Sequence, residues 1–315
     1  MPIGLGLASP HAPSINVGID HWKASYERLT KGVPQPAEAL LETDEIIQDQ
    51  FDRMHASFGV LRDRLEAYKP DLLVMVGGDQ TEMFDRSNVP SIMIYTGAEA
   101  WGQNTVRGQA PSKDTELHFK VDVETSRLLL KRLVREEGFD IAISDVQDAL
   151  GNPDRGLPHA FTRTAPFLMP KLDIPMVIVY VNTYDPPSLT AQRCYDLGQA
   201  IAKVLQDDPR RIAIYGSGGL SHDPGGPRSG WIDQPLDRWF LGEIERGNAQ
   251  ATNALYKFDS QTMRGGTGEI RAWISVAGAM ERAGSRATIV DYIPAYRTVP
   301  GMGWAYWDAA GTPAI

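Results

Sequence analysis

The chain has 315 residues, 42% hydrophobic and 23% charged, which suits a globular protein that buries a substantial core without staples. Its 40 acidic and 31 basic residues leave a formal charge of −9 with no basic block, which argues against nucleic acid as a partner. The single cysteine, Cys194, excludes an internal disulfide framework and a Cys-based zinc site. It fits a cytoplasmic location, as does a start without a charged-then-apolar leader. No apolar run approaches the roughly 20 residues that cross a bilayer, so no membrane span is expected.

The first apolar run, 3–8, predicts a strand and ends on Ser9-Pro10-His11-Ala12-Pro13. Segment 14–42 follows and carries Trp22, Tyr26, Pro34 and Pro36. Its aromatics predict a folded excursion over a site rather than a linker. From Thr43 to Tyr68 the apolar residues Ile47, Phe51, Met54, Phe58, Leu61 and Leu65 recur at three- and four-residue steps, predicting a long helix capped by Thr43. Strands are expected at 71–77, 91–95, 140–144, 175–181, 212–216 and 287–290. Further helices are expected from Val123 to Glu137, Leu189 to Gln206 and Gly268 to Arg282. Strands alternating with helices predict an α/β layered fold, a largely parallel or mixed central sheet flanked by helices, in a single domain over 1–315.

In open α/β sheets the chemistry sits on turns at the carboxyl ends of strands. His11 occupies such a turn after the first strand. His222 occupies another, in Gly216-Ser217-Gly218-Gly219-Leu220-Ser221-His222-Asp223-Pro224, where Ser221 and Asp223 are placed to orient its ring. His55 lies between Phe51 and Phe58 on the helix that leads into strand 71–77. Seven strand residues rise roughly 23 Å, and about fifteen helix residues span the same height. Counting back from Tyr68 brings His55 level with Gly77-Gly78-Asp79-Gln80. His159, in Gly156-Leu157-Pro158-His159-Ala160-Phe161, stands on a loop entering a helix and is a candidate for contact with substrate. His21 and His118 lie in polar surroundings and read as solvated. Glu269 follows Gly265-Gly266-Thr267-Gly268 at the start of a helix, a favourable place for a carboxylate and a way to deliver one to a crowded site. Two histidines and one carboxylate are the facial set that holds non-haem Fe(II) with open positions, and a further histidine would serve as acid/base.

Three motifs together, Ser9-Pro10-His11-Ala12-Pro13, Gly216 to His222, and Gly266-Thr267-Gly268-Glu269-Ile270-Arg271-Ala272-Trp273, resemble the class III extradiol ring-cleavage dioxygenases. These are the LigB-type relatives of the protocatechuate 4,5-dioxygenase β subunit. Gly78-Asp79-Gln80 and Gly156 to Phe161 look most like the single-chain branch that includes 3-O-methylgallate 3,4-dioxygenase. The resemblance implies the LigB-type fold, Fe(II) as cofactor, and a catechol-type substrate of the protocatechuate, gallate or 3-O-methylgallate class, opened with O2. It implies His11 and Glu269 as metal ligands and His222 as the acid/base.

Many relatives end the second strand in Asn-Asp-His, whose histidine is the second ligand; here Gln80 stands in that place. The height argument favours His55 as the replacement, with Gln80 as the alternative. Arg155, Arg163, Tyr184 and Tyr296 are candidates for a substrate carboxylate or methoxy group. The helical partner subunit of some relatives is absent, and segment 14–42 or a homodimer neighbour would take its lid role. A zinc or other divalent-metal hydrolase on the same residues, or a non-catalytic binding protein, are the rival readings.

Overall fold

The structure, a computed structural model, describes residues 3–105, 109–147, 156–258 and 260–309. The chain opens with β1 (Ile3–Ser9), then α1 (Asp20–Leu29), α2 (Glu38–Leu41) and the long α3 (Asp44–Tyr68). Thr43 caps α3, its hydroxyl accepting from Ile46 N at 3.4 Å, and Lys69 ends the helix with φ 50. Strands β2 (Leu72–Gly77) and β3 (Ile92–Tyr95) follow, then a hairpin of β4 (Glu99–Gln103) and β5 (Glu116–Lys120). Next come α4 (Val123–Arg135), β6 (Ala142–Ser144), the short helices α5 (His159–Thr162) and α6 (Ala165–Leu168), and β7 (Met176–Val181). The chain continues through α7 (Ala191–Val204), β8 (Ile212–Ser217), α8 (Gln234–Glu245) and α9 (Ile270–Arg282), then closes with β9 (Thr288–Pro294) and β10 (Gly301–Asp308).

Eight strands form one mixed sheet in the order β6-β3-β7-β2-β8-β1-β10-β9. The four central strands, β7, β2, β8 and β1, are mutually parallel, so their carboxyl ends emerge side by side. Both faces of these strands are buried, which is why their sequences are continuous apolar runs. Alternate residues serve opposite layers. Val74, Val76, Val177 and Ile214 pack with α7 and α9 residues such as Ile201 and Trp273. Leu73, Met75, Ile178 and Tyr215 pack with Met54, Phe58 and Leu61 of α3. Among the described residues no helix is long and apolar enough to cross a membrane.

All seven expected strands are present, but β4, β5 and β10 add to them, and α8 joins the four expected long helices. Strand β10, Gly301-Met302-Gly303-Trp304-Ala305-Tyr306-Trp307-Asp308, pairs antiparallel between β1 and β9. Its glycines weaken the local strand signal, and only the cross-strand partners select it. Segment 14–42 carries α1 and α2. Trp22 and Tyr26 are buried, and Trp22 packs on Phe51 with ring centroids 5.7 Å apart.

Helices α7 and α9 approach so closely that a Cβ at Gly198 would lie 1.8 Å from the carbonyl oxygen of Ser275. Backbone cannot yield there as a side chain can. Gly198→Ala should therefore lower stability by about 3 kcal/mol, read as a fall in the urea midpoint at unchanged slope. An unchanged midpoint would contradict this packing.

Candidate active site

Each central strand delivers a polar residue from its carboxyl end: His11 after β1, Asp79, Gln80 and Glu82 after β2, Tyr184 after β7, and Gly218 to His222 after β8. Glu269 arrives from the opposite direction, on the turn Gly265–Glu269 that runs into α9. A cavity of about 380 Å³ opens over this cluster. His11, His159 and His222 line it together with Gln80 and Glu82. This is the placement expected of a ligand site in an open parallel sheet.

The state of His11 follows from its partners. Ser217 Oγ donates to the carbonyl oxygen of Ala160 at 2.5 Å, which uses its only proton. It therefore accepts from His11 Nδ1, 3.1 Å away. In the neutral ring this leaves a lone pair on His11 Nε2. That atom is buried, has no hydrogen-bond partner, and lies 3.1 Å from Glu269 Oε1. Burial alone would raise the Glu269 carboxyl, but the positive charge that the facing His11 and His222 rings carry when protonated, with the Gly219 N–H, holds it well below the usual carboxylate range. When the ring is neutral, two lone-pair atoms face each other out of water, an arrangement that a shared cation satisfies in place of the proton. Two metal–donor bonds of about 2.1 Å at roughly a right angle set their donors about 3 Å apart, so the spacing fits a divalent ion.

Gln80 supplies a third donor at the same point, since its Nε2 donates to Glu269 Oε1 at 3.0 Å. Rotating the amide by a half turn exchanges nitrogen for oxygen, which a cation accepts as a neutral ligand. Among the described residues no three His, Cys, Asp or Glu side chains converge as a metal set. The loop that carries Gln80 is built by Asp79, whose carboxylate accepts from the backbone N–H groups of Glu82, Met83 and Phe84 at 2.9 to 3.1 Å. Glu82 in turn accepts from Gln80 N at 2.8 Å and from His159 Nδ1.

His159 stands at the start of α5 with its ring edge-on to His11, centroids 4.6 Å apart. Burial, with the nearby Arg163 charge, pushes it down to about 4 against the opposing pull of Glu82. It is therefore neutral at pH 7, with Nδ1–H on Glu82 and Nε2 left as an acceptor. His222 has the same polarity for a different reason. Its Nδ1 lies 2.9 Å from the carbonyl of Leu220, which can only accept, so in the neutral ring the lone pair is on Nε2. That nitrogen is 3.8 Å from Glu269 Oε2. Ser221 and Asp223 do not orient the ring as expected. Ser221 is held by Asp237, through its N–H at 2.9 Å and hydroxyl at 2.8 Å, and Asp223 accepts from Arg228 N. Gly266 makes room for the ring, since a Cβ there would lie 2.0 Å from His222 Nε2.

Two non-glycine residues with left-handed backbone also line the cavity, Thr81 at φ 70 and Val299 at φ 85. Such strain persists only where the surroundings enforce it.

The expected residues divide. His11, Glu269, Gln80, His222 and His159 come together. Arg163 joins them, buried, with Nη1 donating to His11 O at 3.2 Å. Tyr184 does not line the cavity; its buried hydroxyl faces Glu269, and burial with that charge keeps it protonated. His55 is a correction. It sits on the exposed side of α3 between Phe51 and Phe167, neither of which lines the cavity. The height count ignored rotation: Met54, Phe58, Leu61 and Leu65 claim the inward face, and His55 is turned away from it. Tyr296 is a second correction, buried with its hydroxyl accepting from Gln234 Nε2 at 2.9 Å rather than facing the cavity. Arg155 lies outside the described residues. Glu82 and Arg28 were missed. Glu82 was signalled by its place two residues past Gln80 on a strand-end loop, whereas nothing local distinguished Arg28.

A buried histidine that stays neutral resists protonation only while folded. In metal-free protein, His159 should lower stability as pH falls through its unfolded value of 6.5 towards 4. Relative to His159→Asn, the loss between pH 7 and pH 5 should be about 2 kcal/mol, above the range where Glu82 titrates. Parallel pH–stability curves for the two proteins would contradict the neutral assignment.

Residues 9–306 match the family described as the catalytic LigB subunit of aromatic ring-opening dioxygenase. The chain is 25% identical over 286 residues to a 2,3-dihydroxyphenylpropionate/2,3-dihydroxicinnamic acid 1,2-dioxygenase of Burkholderia vietnamiensis, covering 76% of this chain and 83% of the relative. It is 27% identical over 197 residues to the Escherichia coli enzyme of the same name, covering 62% of this chain and 57% of that relative's length. The crystal structure of an uncharacterized Escherichia coli K12 protein superposes over 96% of this chain and 99% of its own with a TM-score of 0.50 at 13% identity, a likeness of fold alone. The chain belongs to the LigB family of aromatic ring-opening dioxygenases.

Proposed function

We propose that this chain is a non-haem Fe(II)-dependent extradiol dioxygenase that opens the ring of a catechol-type aromatic acid with O2. The observation that supports this most directly is the buried His11 Nε2, without a hydrogen bond and 3.1 Å from Glu269 Oε1. In this reading His11, Glu269 and Gln80, with its amide oxygen turned inward, hold the metal. LigB dioxygenases are generally Fe(II)-dependent, and the ferrous ion would supply a common binding point for two vicinal substrate oxygens and electron density for dioxygen. The relatives' names place their own substrates among dihydroxylated aromatic acids, and we assign this chain to the same class. A cytoplasmic setting suits its one thiol, Cys194, which is free and buried.

The remaining work falls to side chains whose hydrogen-bond partners support a particular proton position. His222 Nε2 takes a proton from a substrate hydroxyl and returns one as the O–O bond breaks. Its Nδ1–H on Leu220 O keeps the ring from presenting the wrong nitrogen. His159, neutral, accepts from a second substrate group through Nε2 and cannot compete as a proton source near pH 7. Arg163 fixes the backbone of His11 through its carbonyl. Both atoms of dioxygen end in the ring-opened product, so no external reductant is required.

Iron-loaded protein should consume oxygen with at least one dihydroxylated aromatic acid and form a yellow ring-opened product. Zinc retention with no oxygen uptake across such a panel would instead favour the hydrolase reading. Glu269→Ala and His11→Ala should abolish binding of Co(II), followed by its optical spectrum. His222→Ala should bind Co(II) normally yet lose about 10²- to 10⁴-fold in turnover; near-normal turnover would refute the proton-transfer assignment.

A further inference from the structure

We infer that Arg28, on the helix that segment 14–42 lays over the cavity, anchors the anionic substituent of the aromatic substrate, an inference that rests on the ring-cleavage reading above. The cavity lining is of two kinds. His11, Gln80, His159 and His222 are the polar groups described above, and Pro13, Leu29, Pro224, Val299 and Pro300 give apolar wall suited to the faces of a flat ring. A ring held by two vicinal oxygens at the polar groups leaves its substituent to the rest of the lining, which includes Arg28.

The charges there are unbalanced. Glu82, the carboxylate that lines the cavity, is committed to His159 and to Gln80 N. Arg163 is buried and engaged with the His11 carbonyl. Among the described residues Arg28 makes no hydrogen bond and no ion pair, although the chain carries a formal charge of −9. A net-acidic protein therefore places an unpaired guanidinium in the cavity lining, which attracts an anionic substituent. A guanidinium pairs with a carboxylate through two parallel hydrogen bonds, giving orientation as well as attraction.

Arg28 is also held in place. It lies in the last turn of α1, whose Trp22 and Tyr26 are buried. Trp22 Nε1 donates to Ser14 O at 3.3 Å, and Tyr26 Oη to Gln35 Oε1 at 3.0 Å, so the helix is tied down on both sides of the segment. Leu29, next in sequence, lines the same cavity. The excursion thus supplies both a wall and a charge, the two things needed to read a substituent.

The test compares iron-loaded wild type, Arg28→Gln and Arg28→Lys on matched pairs of substrates, each catechol acid against its primary amide, with protocatechuate and 2,3-dihydroxyphenylpropionate as the acids. The readout is the ratio of kcat/KM for acid over amide. Wild type should favour the acid, and Arg28→Gln should shrink that ratio by about tenfold to a hundredfold, chiefly through KM for the acid. Arg28→Lys should keep part of the preference, since it keeps charge but not the planar fork. An unchanged ratio in Arg28→Gln, with oxygen uptake intact, would overturn the assignment and leave the ring-cleavage reading standing. No uptake from any acid or amide would overturn both.

Discussion

Everything in this site depends on one buried confrontation, His11 Nε2 against Glu269 Oε1 at 3.1 Å, where a proton or a cation must sit between two lone pairs. The cause lies two links away. Ser217 spends its proton on the Ala160 carbonyl, so it must accept from His11 Nδ1, and the ring is left with its lone pair aimed at a carboxylate. A backbone carbonyl on α5 thereby sets the tautomer of a histidine just after β1 through a hydroxyl on β8. Leaving such a pair out of water without a cation is costly, and supplying one turns the cost into affinity.

The sheet makes this confrontation possible. Parallel strands send their carboxyl ends to the same edge, so residues more than 200 positions apart, His11 and Ser217, meet in one layer. Helix α9 then brings Glu269 in over glycine, with the Cβ that Gly218 lacks falling 2.7 Å from the Glu269 Cβ. The backbone strain at Thr81 and Val299, both in the cavity lining, is of the kind that persists only where the surroundings enforce it. The site is preorganised by the fold rather than assembled by loops alone.

Three histidines share the cavity and differ only in what touches Nδ1. A serine hydroxyl at His11, a buried carboxylate at His159 and a backbone carbonyl at His222 each fix which nitrogen faces the cavity, as the proposed roles of ligand, neutral acceptor and base require. Partner identity, not residue type, divides the labour.

The sequence by itself determined the layered α/β fold, because strands buried on both faces must be continuous apolar runs and the flanking helices must carry apolar stripes. It also determined His11, His222 and Glu269 as candidates, since strand-end turns and glycine-rich helix entries are local features. It did not determine which side of α3 His55 occupies. Phe51 and Phe58 flank that residue in sequence, but Met54, Phe58, Leu61 and Leu65 fix the helix rotation through contacts with β-strands and α6. Strand β10 was equally hidden, being selected by its neighbours β1 and β9 rather than by its own glycine-interrupted pattern. The pairing of Glu82 with His159, and the arrival of Arg28 over the cavity, join residues 77 positions apart and a helix whose exposed face looks like any other. Periodicity records only what a residue does within its own element. Tertiary structure decided the rest, because hydrogen-bond partners and cavity walls come from elements that the local sequence never mentions.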